Sequence, residues 1–147
     1  MIESALSTYL KSRPTIAAIV GSRVYATRAP QKTATQSPVQ SRIVYRLLPG
    51  AGRHYHTTGA SGLVEADIEL RLVCETYGDA RDLYDAIRNE IDGFQGLFGT
   101  TVIDQCMLST PSDGTADPTQ GDDTGFPCVQ CVASIFYQES IPEPVND

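Results

Sequence analysis

The chain has 147 residues, 41% hydrophobic and 20% charged, enough for one domain around one core and unlike the composition of a disordered chain. No run of eighteen apolar residues is present, and Met1-Ile2-Glu3-Ser4 lacks the basic-then-apolar layout of a secretory signal, so the expectation is synthesis in the cytoplasm with no membrane partner. The net charge of -7 divides unevenly, because residues 1–62 hold eight Lys or Arg against one acid (net +7) and residues 63–147 hold three Arg against seventeen acids (net -14). Two arrangements would satisfy that division: pairing inside one folded subunit, or pairing between neighbours that meet through unlike surfaces.

Ile2, Ala5, Leu6, Tyr9 and Leu10 repeat at helical spacing and predict a short amphipathic helix that stops before Pro14. Pro14 opens a second apolar stretch, Ile16 to Val20, closed by Gly21, which suits one or two helical turns with Pro first and Gly beyond the end. Val24 and Tyr25 follow as a brief strand. Residues 26–39 have Pro, Thr and Gln with no apolar period, and are expected to form a long exposed loop. Residues 42–48 are strand-like, and Pro49-Gly50-Ala51-Gly52 makes a turn leading into a meander.

The firmest expected strand covers residues 63–76, where Ala66, Ile68, Leu70, Leu72 and Cys74 alternate with Glu65, Asp67, Glu69, Arg71 and Glu75. One face should be buried and the other wet, and a slip of one residue would drive several charges into the core. Gly78 and Asp79 then start a helix with Ala80, Leu83, Tyr84, Ile87 and Ile91 on one stripe and Gly93 just past its end. Its first turn holds Asp79 and Asp82, and Arg81 with Asp85 forms an expected i,i+4 pair. Residues 100–108 and 128–138 are expected strands. Between them, residues 109–127 hold four acids (Asp113, Asp117, Asp122, Asp123) and no base, and are expected to be a second long, unpacked loop. Residues 139–147 are expected to fray. The result is one α+β domain over 1–147, with two or three helices on an antiparallel or mixed sheet.

Chemistry-bearing patterns are sparse. His54-Tyr55-His56 would put two imidazoles on one side of a strand, but two ligands do not make a metal site, and exposed polar side chains are the simpler account. Cys128-Val129-Gln130-Cys131 has redox spacing in strand-like surroundings, where residues three apart face opposite ways and no helix N-terminus stabilises a thiolate. With Cys74 and Cys106 they are expected to be reduced and buried. The acidic loop lacks the spacing of a calcium loop. There is no phosphate-binding Gly-x-x-x-x-Gly-Lys, Gly59-Ala60-Ser61-Gly62 falls short of a nucleophile elbow, and Arg42, Arg46 and Arg53 are scattered without an aromatic stacking pattern. The expectation is no enzyme and no cofactor.

The order of elements resembles the tail completion (tail terminator) family of long-tailed bacteriophages. A helix leads to Ile19-Val20-Gly21-Ser22-Arg23-Val24-Tyr25, then a Pro-containing loop, then Ile43-Val44-Tyr45. The alternating Glu65 to Thr76 stretch, Tyr77, and a helix opening Ala80-x-x-Leu83 are similar to the family, as is the closing strand at 129–137. Residues 109–127 have no counterpart in that resemblance. It implies a ring, of six copies by the family's habit, at the head-proximal end of a tail tube in the virion neck. Its partners would be the tube protein and the head connector or head-closure protein, with genomic DNA passing unread through the opening. The host cytoplasm would be the site of synthesis. Arg28, Arg53, Asp113, Asp117, Asp122 and Asp123 are the expected interface residues. The alternatives are a head-closure or connector adaptor of the neck and, more distantly, a small metal-dependent enzyme using His54 and His56.

Overall fold

The structure, a computed structural model, describes residues 1–27, 41–49, 52–56, 59–115 and 127–139, with backbone alone at 53–56, 59–61 and 114–115. Three helices pack on one face of a mixed, curled sheet, an α+β fold. In chain order the elements are α1 (Ile2–Ser12), α2 (Pro14–Val20), β1 (Val24–Ala26), β2 (Arg42–Leu47), β3 (Arg53–His56), β4 (Gly59–Val73), α3 (Tyr77–Ile91), β5 (Gly96–Phe98), β6 (Thr101–Leu108), β7 (Ser112–Thr115) and β8 (Pro127–Gln138).

The sheet runs β1-β2-β4-β8-β6-β5, with β3 also on β4 and β7 also on β8. Among the described residues only β1 and β2 pair in parallel. Strand β4 carries the sheet: β2 and β3 share one of its edges and β8 takes the other in unbroken register from Leu63↔Gln138 to Val73↔Cys128. Period-two alternation sends Ala66, Ile68, Leu70 and Leu72 to the helix side, opposite Ile135, Ala133, Cys131 and Val129 of β8. All eight are buried, and each fully buried Leu or Ile side chain is worth roughly 1.5–3 kcal/mol.

The helices close that side because their apolar stripes match it. Leu6 and Leu10 of α1, Ile16 and Val20 of α2, and Leu83, Ile87 and Ile91 of α3 join one core with Ile43 of β2. Near the end of α1 the Tyr9 ring packs at a tilt against the stacked Phe94 and Phe98 rings, with centroids 4.5–5.1 Å apart. Gly96 lies beside them, and a β-carbon there would sit 3.1 Å from Phe94 Cζ. Helix α3 is capped by Thr76, whose hydroxyl accepts from the Asp79 amide at 3.2 Å, and ends before Gly93 at φ 79°.

Several expectations are corrected. β4 begins at Gly59 and ends at Val73, because Thr76 is taken by the helix cap and Gly59 to Val64 are drawn into the β3 hairpin. Within residues 109–127, Ser112–Thr115 forms β7 by pairing with Pro127 to Gln130 of β8, a ladder no apolar alternation announced. A further strand, β5, precedes the strand expected at 100–108. Arg81 makes no ion pair with Asp85 but lies over the Tyr84 ring at 5.7 Å, since a cation placed before its acid on a helix is the weaker order. Residues 28–40 and 116–126, the bulk of both expected loops, and 140–147 lie outside the described residues.

Leu70→Ala is expected to cost about 2–5 kcal/mol by cavity formation, and Thr76→Ala about 1 kcal/mol by loss of the cap, as read from urea denaturation midpoints. Equal losses from the two substitutions would contradict this placement of the core.

Candidate assembly surface

The second face of the sheet carries no helix among the described residues, yet it is not simply wet. Val44 and Arg46 of β2, Glu65, Asp67, Glu69 and Arg71 of β4, and Gln130, Val132, Ser134 and Phe136 of β8 share it by register. Glu69 sits between two cations: Arg46 Nη2 is 2.8 Å from its Oε2 and Arg71 Nε is 3.6 Å from its Oε1, while its side chain is only 18% exposed. Asp67 Oδ1 is buried with no hydrogen-bond partner. Val73 and Cys128, opposite one another, are buried on this face too. The wet face expected from alternation is therefore half-buried, with one short ion pair, Arg46–Glu69, at its middle.

Charge pairing between the two halves of the chain is present inside the subunit. Arg13 Nε meets Glu90 Oε2 at 2.9 Å, joining α2's start to α3, and Arg46–Glu69 joins β2 to β4. That uses few of the acids. Glu75, Asp79, Asp82 and Asp85 remain exposed along the start and outer side of α3. With their arginines 39% and 59% exposed, the two pairs are open to solvent on one side and worth on the order of 1 kcal/mol each, so internal pairing is a weak organiser of the fold.

Of the residues expected at an interface, Asp113 lies on β7 and is exposed, and both its carboxylate oxygens accept from the Tyr77 hydroxyl at 3.1 Å. Arg53 is on β3, known by its backbone position. Arg28, Asp117, Asp122 and Asp123 lie outside the described residues. Of the six, the described residues thus include Arg53 and Asp113. His54 and His56 share β3, and among the described residues no group of three His, Cys, Asp or Glu is placed to hold a metal ion. Sequence reading missed the exposed apolar pair Leu97 and Val102, because β5 is only three residues long and has no period to detect.

Cys128 and Cys131 point to opposite faces, opposite Val73 and Leu70, and all four cysteines are free and buried. Burial pushes the Cys106 and Cys131 thiols up to about 12 and raises those of Cys74 and Cys128, the opposite of what a redox or metal-ligating thiol needs. Each folded thiol holds its proton more tightly than the unfolded one, so this contribution is whole below about pH 9 and declines as pH rises toward 12. A thiol reagent at pH 8 should label the native protein slowly and all four cysteines after unfolding; rapid native labelling would contradict the burial.

No protein-family model matches the sequence, and no curated protein does. Among solved structures, a chain described as "Virion of native gene transfer agent (GTA) particle" superposes with a TM-score of 0.67 at 13% identity, covering 94% of this chain and 95% of that one. At that identity the likeness is one of fold, and it extends over nearly the full length of both chains.

Proposed function

We propose that this chain is a structural subunit of a phage-like particle, a ring that caps the head-proximal end of a tail tube and joins it to the head connector. The observation that carries the reading is the near-complete fold match to a chain of a gene transfer agent virion. The resemblance of element order to the tail completion family supports the tail position.

Physically, the reading asks for a rigid body with unlike sides and no reaction chemistry. A sheet locked by an eleven-residue β4–β8 ladder and backed by three helices supplies the rigidity. The exposed acids of α3 are suited to a channel wall along which DNA slides without adhering, like charge repelling like. The tube and connector would be met by loops and helix faces, as function carried on a fixed scaffold usually is.

Two outcomes are expected. Particles assembled without this chain should show tubes of excess and uneven length and heads without tails by electron microscopy. Normal tubes joined to heads would contradict the reading, and tubes of normal length that fail only to join heads would favour the head-closure alternative. Charge reversal at Arg28 and Arg53 together should weaken ring formation by about tenfold at low salt, the difference shrinking once the Debye length falls to about 3 Å at 1 M salt. Unchanged assembly at low salt would remove those two residues from the interface.

A further inference from the structure

We infer that the two lateral ends of the sheet are the two halves of one contact, the β5–β6 hairpin of one copy seating on the β1–β2 edge of the next copy of this chain. The inference rests on the ring reading and gives it a surface.

Strand order is the first support. Between Glu3 and Glu65 the sequence has no Asp or Glu, and after Arg88 it has no Lys or Arg. Strands β1 and β2 come from the first of these stretches and β5 to β8 from the second, with β4 between them in space. The fold therefore sends the acid-free stretch to one end of the sheet and the base-free stretch to the other, with the mixed charges Glu65, Asp67, Glu69 and Arg71 of β4 between them. Arg42 and Arg46 of β2, with Arg23 just before β1, stand at one end, and Asp104 of β6 at the other, with Asp113 on β7 along the same edge of β8.

Two of these groups, Arg46 and Asp104, keep capacity for a partner. Arg46 is 59% exposed although it touches Glu69, and a guanidinium has five donors. Asp104, the extra residue where the β6–β8 register shifts, accepts one hydrogen bond from Gln138 Nε2 at 3.0 Å. A carboxylate has room for more.

Apolar surface is the second support. Leu97 and Val102 face each other across β5–β6, 57% and 40% exposed, and Met107 further along β6 is 44% exposed. All three lie on the side of the sheet away from the helices, since Phe98, Ile103 and Cys106 fill the other side. Tyr25 and Val44 continue that side at the β1–β2 end. Beyond β5 and beyond β1 no further strand pairs among the described residues. The two-residue Gly99-Thr100 loop, with Gly99 at φ 63°, makes Phe98 and Thr101 the hydrogen-bonded pair, so the Leu97 N–H and C=O point outward from the edge. An apolar strand edge of this kind is a template for another chain.

Charge decides which chain edge it meets. A two-fold contact of β5 on β5 would oppose Asp104 to its own copy, whereas β5–β6 on β1–β2 opposes acids to arginines. The second contact joins unlike surfaces and repeats, so it closes a ring when its rotation fits.

The test uses two full-length variants, Leu97→Cys and Tyr25→Cys, whose new thiols stand out because the four native cysteines are buried. Each variant alone and an equal mixture are treated with a short bismaleimide, both as purified protein and on capped tubes, and oligomer mass is followed in parallel. Linked dimers should rise about tenfold in the mixture over either variant alone. Linkage of Leu97→Cys with itself as strong as in the mixture would overturn the inference. Rings that form without mixed linkage would overturn it while leaving the ring reading standing, and no ring with or without tubes would defeat both. Leu97→Asp should lower ring formation by about tenfold or more while the thermal transition stays within a few degrees; rings of wild-type strength would count against the contact.

Discussion

The structure depends on β4 holding one register along both of its edges. Charged residues alternate with apolar ones through Glu65 to Leu72, so a slip by one position would exchange a row of buried Ile and Leu for Glu, Asp and Arg. The cost of burying even one unpaired charge exceeds what any single loop or cap here supplies. With that register set, Ile43, Val129 and Ile135 are brought to the same side, and three helices have one continuous apolar surface to cover.

Most of this fold is legible in the sequence because long periodic elements announce themselves. Pro14 and Gly21 bracket α2 as N1 proline and terminal glycine, and the stripe from Ala80 to Ile91 marks α3. What was not legible is what tertiary pairing decides. Strand β7 contains Ser112, Asp113 and Gly114, none of them strand formers, and exists because β8 offers it an edge. Strand β5 turns on Gly96, Gly99 and the Phe94 ring rather than on any period. The candidate surface was less legible still. Charge segregation is visible in the sequence, but which strands become the ends of the sheet is a property of topology.

Topology is also what gives the charge division a physical use. Had β2 paired beside β6, arginines and acids would be neighbours and would cancel within the subunit. The observed order puts β4 and β8 between β2 and β6, so Arg46 meets Glu69 of the neighbouring β4 while the acid of β6 stays at the far side of the sheet. Long-range attraction of this kind contributes more to orientation and encounter than to fold stability. The buried thiols fit the same picture of a scaffold, since Cys106 and Cys131 are packed as small apolar groups with their protons retained.

The most direct measurement is an electron cryomicroscopy reconstruction of the neck of a particle that carries this chain. The account predicts a closed ring of copies of this fold on the head-proximal end of the tail tube, each copy's sheet end beside the opposite sheet end of its neighbour. Copies found elsewhere in the particle, or related by two-fold contacts without a central opening, would contradict it.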